Sequence, residues 1–536
     1  MWDLGFSDEN EANTSSSEPR TKRIKRYPSV FKREWILKYS WVTKGRTNHH
    51  CRCTSCNSEF SVAHGGEHDV RKHMNTEKHK QSSQSTPESK ITSLLSDLSE
   101  TKIKQVAVAE VGSDETYELG KVIIEGKTKI VYEIKNNPKE CILMSKDRIT
   151  AGDGVKAHNL EGKAAISTET CAKVFNLLNK VGIKTAFIKQ TSSKALLSKK
   201  CEMIPIEWVT RRLATGSFLK RQPGVPEGYR FYPPKHETFF KDDANHDPQW
   251  SVEQIISAKF KFNGVLIGPT EVDIMTRTSI LVFEVLEKFW ATKDCVLVDM
   301  KIEFGVDPDG QILVADVIDS DSWRLWPSGD KRLMVDKQVY RNLTTVTNSD
   351  LDTVRRNFEW VAKKIDFSEY LIPNHLVVIL MGSPSDKEHC EKIEKHCQSF
   401  GLQTAMRVTS AHKGTEETLS IVRYYESLGL KIVFIAVAGR SNGLGPVVSA
   451  NSAYPVINCP PVNSGNVDKD IWSSLNVPSG LGCATVVYPE TAAIHAAQIL
   501  GLENFIIWGK IRTRQLDNYV SLTKSDKELA GQKALV

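Results

Sequence analysis

The sequence predicts a multidomain chain in which a small metal-supported module and a strand-rich central domain precede a three-layer α/β domain built on a parallel sheet. Three observations predict it. Cys53-x2-Cys56 is followed by His73-x5-His79, the donor set of a tetrahedral metal site. VLVDMKIEFG (296–305), the turn DPDG (307–310) and QILVADVID (311–319) read as two strands around a tight turn. From His375 onward, apolar strands alternate with amphipathic helices, the pattern of a parallel sheet covered on both faces.

The bulk properties bound these parts. At 536 residues there is room for about three or four domains. The longest apolar runs, such as IVFIAVA (432–438), fall far short of the roughly 20 residues a membrane span needs, so no membrane insertion is expected. The N-terminus opens acidic and polar, without a basic-then-apolar signal pattern. Of the 11 cysteines, three sit at 51, 53 and 56 and the rest are scattered, as reduced intracellular thiols are. A cytoplasmic enzyme fits this usage. The net charge of +6 is unevenly spread: residues 20–80 hold 15 Lys and Arg against 5 Asp and Glu. Any nucleic-acid contact is therefore expected in the N-terminal module alone.

Residues 1–27 form an arm without periodicity, acidic at first and then basic through RTKRIKR (20–26), and are expected to be disordered. The basic run reads either as a nuclear-import or phosphate-contacting segment or as a solvated linker. The finger module spans 28–82. Its size cannot bury enough apolar surface to fold unaided, so Zn²⁺ held by Cys53, Cys56, His73 and His79 would supply stability. Cys51, His49, His50, His64 and His68 compete as ligands, and chance clustering is the plain alternative. FKREWILKYSWV (31–42), CNSEFSVAHGG (56–66) and DVRKHMNTEKHK (69–80) resemble the BED-like fingers of transposase-derived proteins. That resemblance implies weak DNA binding; a protein-interaction module is the other reading. Residues 83–112 read as a flexible linker with one short helix near 91–98.

In the central domain, 113–368, IIEGKTKIVYEI (123–134) reads as strand, Gly-containing turn, strand. A lysine-bearing turn can lie over phosphates, although EGKTK has no P-loop frame and alone reads as a surface hairpin. Alternation along VDMKIEFG puts Asp299, Lys301 and Glu303 on one face and Val298, Met300, Ile302 and Phe304 on the other. Pairing Val306 with Gln311 would set Lys301 opposite Asp316, so two carboxylates and an ammonium would converge. Such hard oxygen donors suit Mg²⁺; a solvated salt bridge is the bland reading. RRLATGSFLKR (211–221) and DSWRLWPSGD (321–330) add basic groups suited to a phosphate or carboxylate.

Together with SKDRITAGDG (145–154), EMIPIEWV (202–209) and FFKDDANHDPQW (239–250), these segments occur in the order found in phosphoribosylaminoimidazole-succinocarboxamide synthases, over about 113–368. The resemblance implies an α+β, ATP-grasp-like fold that joins L-aspartate to the carboxylate of carboxyaminoimidazole ribotide at the expense of ATP. It implies Gly126, Lys127 and Lys129 at the ATP phosphates, with Lys127 also catalytic, and Glu303 and Asp316 on Mg²⁺. Arg211, Ser217, Arg324 and Asp153 would lie on the ribotide side.

In the last domain, 374–536, HLVVILMG (375–382) reads as a buried strand, with Ser385 expected to cap the helix that follows. LQTAMRVT (402–409) and KIVFIAVAG (431–439) are further strands, with a helix from Thr415 to Gly429 between them. Their ends run into SPSD (383–386), SAHKG (410–414) and GRSNGLGP (439–446), at the carboxyl edge where open α/β sheets bind ligands. These loops, with SSLNVPSGLGCATV (473–486), resemble phosphoribosylaminoimidazole carboxylases of the animal, CO₂-using type, a flavodoxin-like fold. The resemblance implies His412 as the proton-transfer group and Lys413 beside the nascent carboxylate. Ser383, Ser385, Asp386, Ser410 and Arg440 would hold the ribotide, with Ser441, Asn442 and Gly443 at the CO₂ end. It also implies a homo-oligomer, an octamer in that family, and 504–536 has spacing suited to a packing helix. The product of this domain is the substrate of the central one. The rival reading is a DNA-binding protein with inactive enzyme domains, which would need broken motifs.

Overall fold

A computed structural model describes residues 29–32, 35, 39, 42–53, 56–83, 117–152, 154–462, 465 and 467–533. The arm at 1–27, nearly all of the 83–112 linker with its expected helix, and Asp153 lie outside the described residues. The chain divides into two compact units, Met1–Glu115 and Thr116–Val536.

In the first unit, strands Val42–Lys44, His50–Cys53 and Glu59–Ser61 form an antiparallel sheet, followed by helices Glu67–Met74 and Glu77–Ser83. Its core is small: Trp35, Val42, Cys51, Val62 and Val70, with Phe31, Tyr39 and Phe60 against them.

The second unit begins with a five-stranded antiparallel sheet, ordered Leu119–Glu125, Lys129–Ile134, Asn137–Ser145, Ala195–Lys199, Phe187–Ser192. A seven-stranded sheet follows, and the strand Cys295–Val306 is its hub. It pairs with Glu202–Met203, Ile206–Leu213, Ile312–Ala315 and Trp323–Pro327. Helices Lys163–Val181 and Pro269–Ala291 contribute Phe175, Leu177, Val282, Phe283 and Leu286 to the main core, where they meet Met300, Ile302, Phe304 and Val306. The opposite face of the hub strand keeps its charged residues for a cleft. A bulge between Leu297 and Asp299 breaks the alternation, so Leu297 also joins the core.

The expected register of the 296–319 hairpin is corrected by one residue. Val306 pairs with Ile312 and Glu303 with Ala315, so Lys301 does not face Asp316 across the ladder. The Asp307 carboxylate accepts from the amides of Asp309 and Gln311, and Gly310 turns at φ +74°, which lengthens the hairpin loop by a residue. A one-residue slip normally sends a side chain to the other face. Asp316 escapes this because it lies beyond the strand, in a left-handed conformation at φ +63°.

The remainder is a parallel five-stranded sheet in the order Thr404–Val408, His375–Met381, Lys431–Val437, Val456–Asn458, Cys483–Thr485. Relative to chain order this is 2-1-3-4-5, the doubly wound flavodoxin-like arrangement. The period of two splits strand His375–Met381 between two cores. Val377, Ile379 and Met381 pack with Cys390, Ile393, Cys397 and the alanines of helix Pro489–Leu500. Leu376, Val378 and Leu380 pack with Ile421, Val422, Leu444 and Val448 on the other side.

The C-terminal helix Phe505–Lys533 serves both halves of this unit. Phe505 and Ile506 join the core of the antiparallel region, while Ile507 and Ile511 join the parallel-sheet core.

Candidate functional sites

The first site is a cleft of about 1160 Å³ lined by both antiparallel sheets and the loops after them. It brings together Gly126, Lys127, Lys129, Arg211, Ser217, Glu303, Asp316 and Arg324. At one end, carboxylates and lysines interleave. Lys129 contacts Asp316, and Lys301 contacts Glu207. The buried Glu303 carboxylate accepts from Lys241 at 2.8 Å and from Lys301 at 3.2 Å. Burial opposes charge on Lys241 and Lys301, but the facing carboxylates win and raise both ammonium pKa values. Burial likewise pushes against ionisation of Asp316, and Lys129 outweighs it, holding the carboxyl below its usual range. Oxygen donors in this setting fit Mg²⁺, with lysines placed for phosphoryl oxygens. Lys127, on the turn between Leu119–Glu125 and Lys129–Ile134, reaches Asp243 at 2.7 Å.

At the other end Asp299 is the organiser. Its Oδ2 accepts from Arg211 Nη1 and from Arg324 Nη1, each at 2.5 Å. Arg211 Nε also donates to Glu237 at 2.6 Å, so this buried guanidinium is already paired on both sides. Gly216, at φ +60°, brings the backbone so near Arg324 that a Cβ there would lie 2.5 Å from Nη2. The Arg324 guanidinium therefore lies against the Gly216–Ser217 turn, a place for an anion. Sequence reasoning placed Asp299 on the correct face without assigning it a role. It missed Glu207, on the strand paired with the hub, Glu237, on the next strand, and Lys241, which follows that strand's end.

The second site lies at the carboxyl ends of three adjacent parallel strands, where the strand order reverses between His375–Met381 and Lys431–Val437. Ser383, Ser385 and Asp386 follow the first strand, Ser410, His412 and Lys413 the second in chain order, and Arg440 to Gly443 the third. The expected cap is corrected here: Ser383, not Ser385, caps the turn. Ser383 Oγ accepts from the Ser385 amide at 3.3 Å and from Ser385 Oγ at 2.8 Å, and a short 3-10 turn, Pro384–Asp386, precedes the helix. This extra turn arises because Pro384 suits a first helical position. His412 and Lys413 are exposed. The imidazole of His412 lies against Gly443, where a Cβ would be 2.7 Å from both Cε1 and Nε2. Asn442 is buried and uses its side chain within the fold: Nδ2 donates to Ser474 Oγ at 3.0 Å and Oδ1 accepts from the Gly445 amide at 3.1 Å. Arg440 sits at φ +56°, which turns the loop sharply after the strand.

In the N-terminal unit Cys53, Cys56, His73 and His79 are all buried, with their donor atoms within 4.8 Å of one another. Cys53 Sγ lies 3.2 Å from His79 Nδ1, and Cys56 Sγ lies 3.3 Å from His73 Nε2. Three of the competing residues are engaged elsewhere. Cys51 is in the apolar core with its thiol pushed up to about 11 by burial. His49 Nδ1 meets the Ser29 carbonyl at 2.7 Å, and His50 Nδ1 meets Thr47 Oγ1 at 2.7 Å.

Residues 122–357 match the family model of SAICAR synthetase, and 376–519 match that of AIR carboxylase. A bifunctional phosphoribosylaminoimidazole carboxylase/phosphoribosylaminoimidazole succinocarboxamide synthetase of Drosophila melanogaster is 66% identical over 428 residues, 80% of this chain and 99% of the relative. The protein of the same description from Homo sapiens is 56% identical over 416 residues, 77% of this chain and 98% of the relative. Among solved structures, a type-2 SAICAR synthetase in complex with ADP aligns with 46% of this chain and 97% of its own, at 31% identity and a TM-score of 0.41.

Proposed function

Because the chain belongs to the family of bifunctional phosphoribosylaminoimidazole carboxylase/succinocarboxamide synthetases, and has both activities in de novo purine biosynthesis, we propose how its residues divide the work. The cleft between the antiparallel sheets performs the ligation, and the carboxyl edge of the parallel sheet performs the carboxylation. The observation that carries the first assignment is the meeting of Lys127, Lys129, Glu303, Asp316, Ser217 and Arg324 in one cleft.

In the carboxylation, C4 of the electron-rich aminoimidazole attacks the carbon of CO₂. One C–C bond forms, a C=O electron pair moves onto oxygen, and the C4 proton leaves. His412 takes that proton and Lys413 faces the new carboxylate. Ser383, Ser385, Asp386, Ser410 and Arg440 hold the ribotide, and Ser441 and Gly443, with the Asn442 backbone, border the CO₂. The ring is already nucleophilic, so neither biotin nor ATP is needed.

In the ligation, a carboxylate oxygen of the ribotide attacks the γ-phosphorus of ATP and ADP leaves, giving an acyl phosphate. The aspartate amine then attacks the acyl carbon, phosphate departs and a proton is released. Gly126, Lys127 and Lys129 lie over the ATP phosphates; Arg211 and Arg324, braced by Asp299, and Ser217 grip the ribotide. Glu303 and Asp316 would hold Mg²⁺, which supplies positive charge against the phosphoryl oxygens when bound. Asp153 belongs to the ribotide side in this reading. An ATP-grasp-like description of the two sheets is part of the same proposal, as is a homo-octamer in the cytoplasm.

For the N-terminal unit, we propose a BED-like finger in which Cys53, Cys56, His73 and His79 hold Zn²⁺. The nearness of the four donors supports it. Any DNA or protein contact of that finger would be added to the enzyme activities. The reading as a binding protein with inactive domains is not favoured. Single-turnover assays of each half-reaction test the assignments: Lys127→Ala should abolish ligation alone, and His412→Ala carboxylation alone.

A further inference from the structure

The segment SSLNVPSGLGCATV (473–486) holds no residue assigned to either reaction, yet two of its side chains grip the loop that follows strand Lys431–Val437. Asn442, buried in that loop, has three polar groups engaged. Its amide N–H donates to Ser473 Oγ at 3.0 Å, its Nδ2 donates to Ser474 Oγ at 3.0 Å, and its Oδ1 accepts from the Gly445 amide at 3.1 Å. Both serines belong to the single helical turn Trp472–Leu475. That turn is anchored as well: Ser473 Oγ donates to the Asp470 carbonyl at 3.0 Å, and the Ser474 carbonyl accepts from Thr485 Oγ1 at 2.7 Å. Asn458, wholly buried at the end of strand Val456–Asn458, donates from Nδ2 to Thr485 Oγ1 at 3.3 Å. Gly445 comes so near this asparagine that a Cβ there would lie 1.7 Å from Asn458 Oδ1. None of these groups ionises, and Asn442, Asn458 and Ser474 are all buried, so the network is a neutral, desolvated clamp.

We propose that Ser473 and Ser474 are positioning residues for the carboxylation, whose hydroxyls fix the Asn442–Gly443 peptide as the wall that holds CO₂ beside His412. The inference rests on the reading of this sheet edge as the carboxylation site. CO₂ is small and uncharged, so no ion pair can hold it and its place depends on the walls around it. The Gly443 end of this wall meets the His412 imidazole, where a Cβ would lie 2.7 Å from Cε1 and Nε2. The clamp takes the main chain and the side chain of one residue, Asn442, which fixes the plane of the peptide as well as its place. The ribotide keeps its contacts on the other two loops, so loosening this one should fall on CO₂.

The test is steady-state carboxylation by the full-length protein with Ser473→Ala and Ser474→Ala, varying dissolved CO₂ and the ribotide in turn. Each variant leaves a buried donor of Asn442 without its acceptor. The KM for CO₂ should rise about fivefold or more while the KM for the ribotide stays within about twofold. Ser473 is only half-buried, so Ser473→Thr, which keeps the hydroxyl, should return the KM for CO₂ to within about twofold of the wild type. Ligation of supplied carboxylated ribotide by the same preparations should be unchanged and reports that the chain is folded. An unchanged KM for CO₂ in Ser473→Ala, or a raised KM for the ribotide with CO₂ unaffected, would overturn the proposal. So would a fall in kcat with both KM values constant. Loss of ligation in step with carboxylation would make the serines merely structural and overturn it too. If the wild type itself does not carboxylate, the reading of the sheet edge fails first.

Discussion

His236 shows how one half-buried side chain gives the fold a pH dependence. It stacks on Trp208 at 5.7 Å, and its Nε2 has no partner among the described residues. Burial pulls its pKa down from 6.5 to about 4. A histidine depressed in this way is neutral in the fold and protonated in the unfolded chain between those values. Its contribution is therefore present above pH 6.5 and is lost as pH falls toward 4, roughly 3 kcal/mol in all. We expect His236→Gln to flatten the fall in stability between pH 6.5 and 4, measured by urea melts; an unchanged slope would assign the fall to other groups. A second residue-scale outcome concerns Gly443. Its substitution by Ala should push the His412 ring aside and lower carboxylation at least tenfold while ligation is spared, as two separate assays would read. The placing of Lys127 and Lys129 in the cleft, and of His412 after its strand, was legible because each sits on a turn between recognisable elements. Asp299 as the bridge between two arginines was not legible, since that role depends on strands that meet only in the folded sheet.

At the scale of elements, periodicity carried the argument well where a face is buried and failed where local turn chemistry decides. The alternating run at 296–305 did place its charged face toward the cleft. Its hairpin register slipped by one because the Asp307 carboxylate organises the loop, a side-chain hydrogen bond no strand pattern reveals. Helix Phe505–Lys533 was expected to pack, but its two-sided use was not visible in its spacing. It places Arg512 3.1 Å from Glu284 and Lys527 2.6 Å from Glu271 on helix Pro269–Ala291, with Arg277 stacked over Tyr519 at 4.0 Å. Gly509 meets Val181, where a Cβ would be 2.8 Å from Cγ1. We expect Gly509→Leu to overpack this contact, costing about 1–3 kcal/mol and lowering the temperature at which both activities are lost. Loss of one activity with the other retained at the original temperature would show that the helix does not join the two cores.

At the scale of the whole molecule, the chain divides into two compact units, Met1–Glu115 and Thr116–Val536. Among the described residues the core of the N-terminal unit holds five buried side chains, too few to hold a fold of this size without help. A zinc-selective chelator should therefore abolish the dispersed amide signals of 42–83 in NMR and leave carboxylation unchanged. Retention of those signals in metal-free protein would remove the zinc proposal. One chain carries two chemistries on two folds. The most direct test is a coupled assay of the purified full-length protein with aminoimidazole ribotide, bicarbonate, aspartate and Mg-ATP. The wild type should form the succinocarboxamide product. Lys127→Ala should accumulate the carboxylated ribotide, and His412→Ala should form product only when that ribotide is supplied. A Lys127→Ala enzyme that still completes the ligation, or a His412→Ala enzyme that still carboxylates, would contradict this.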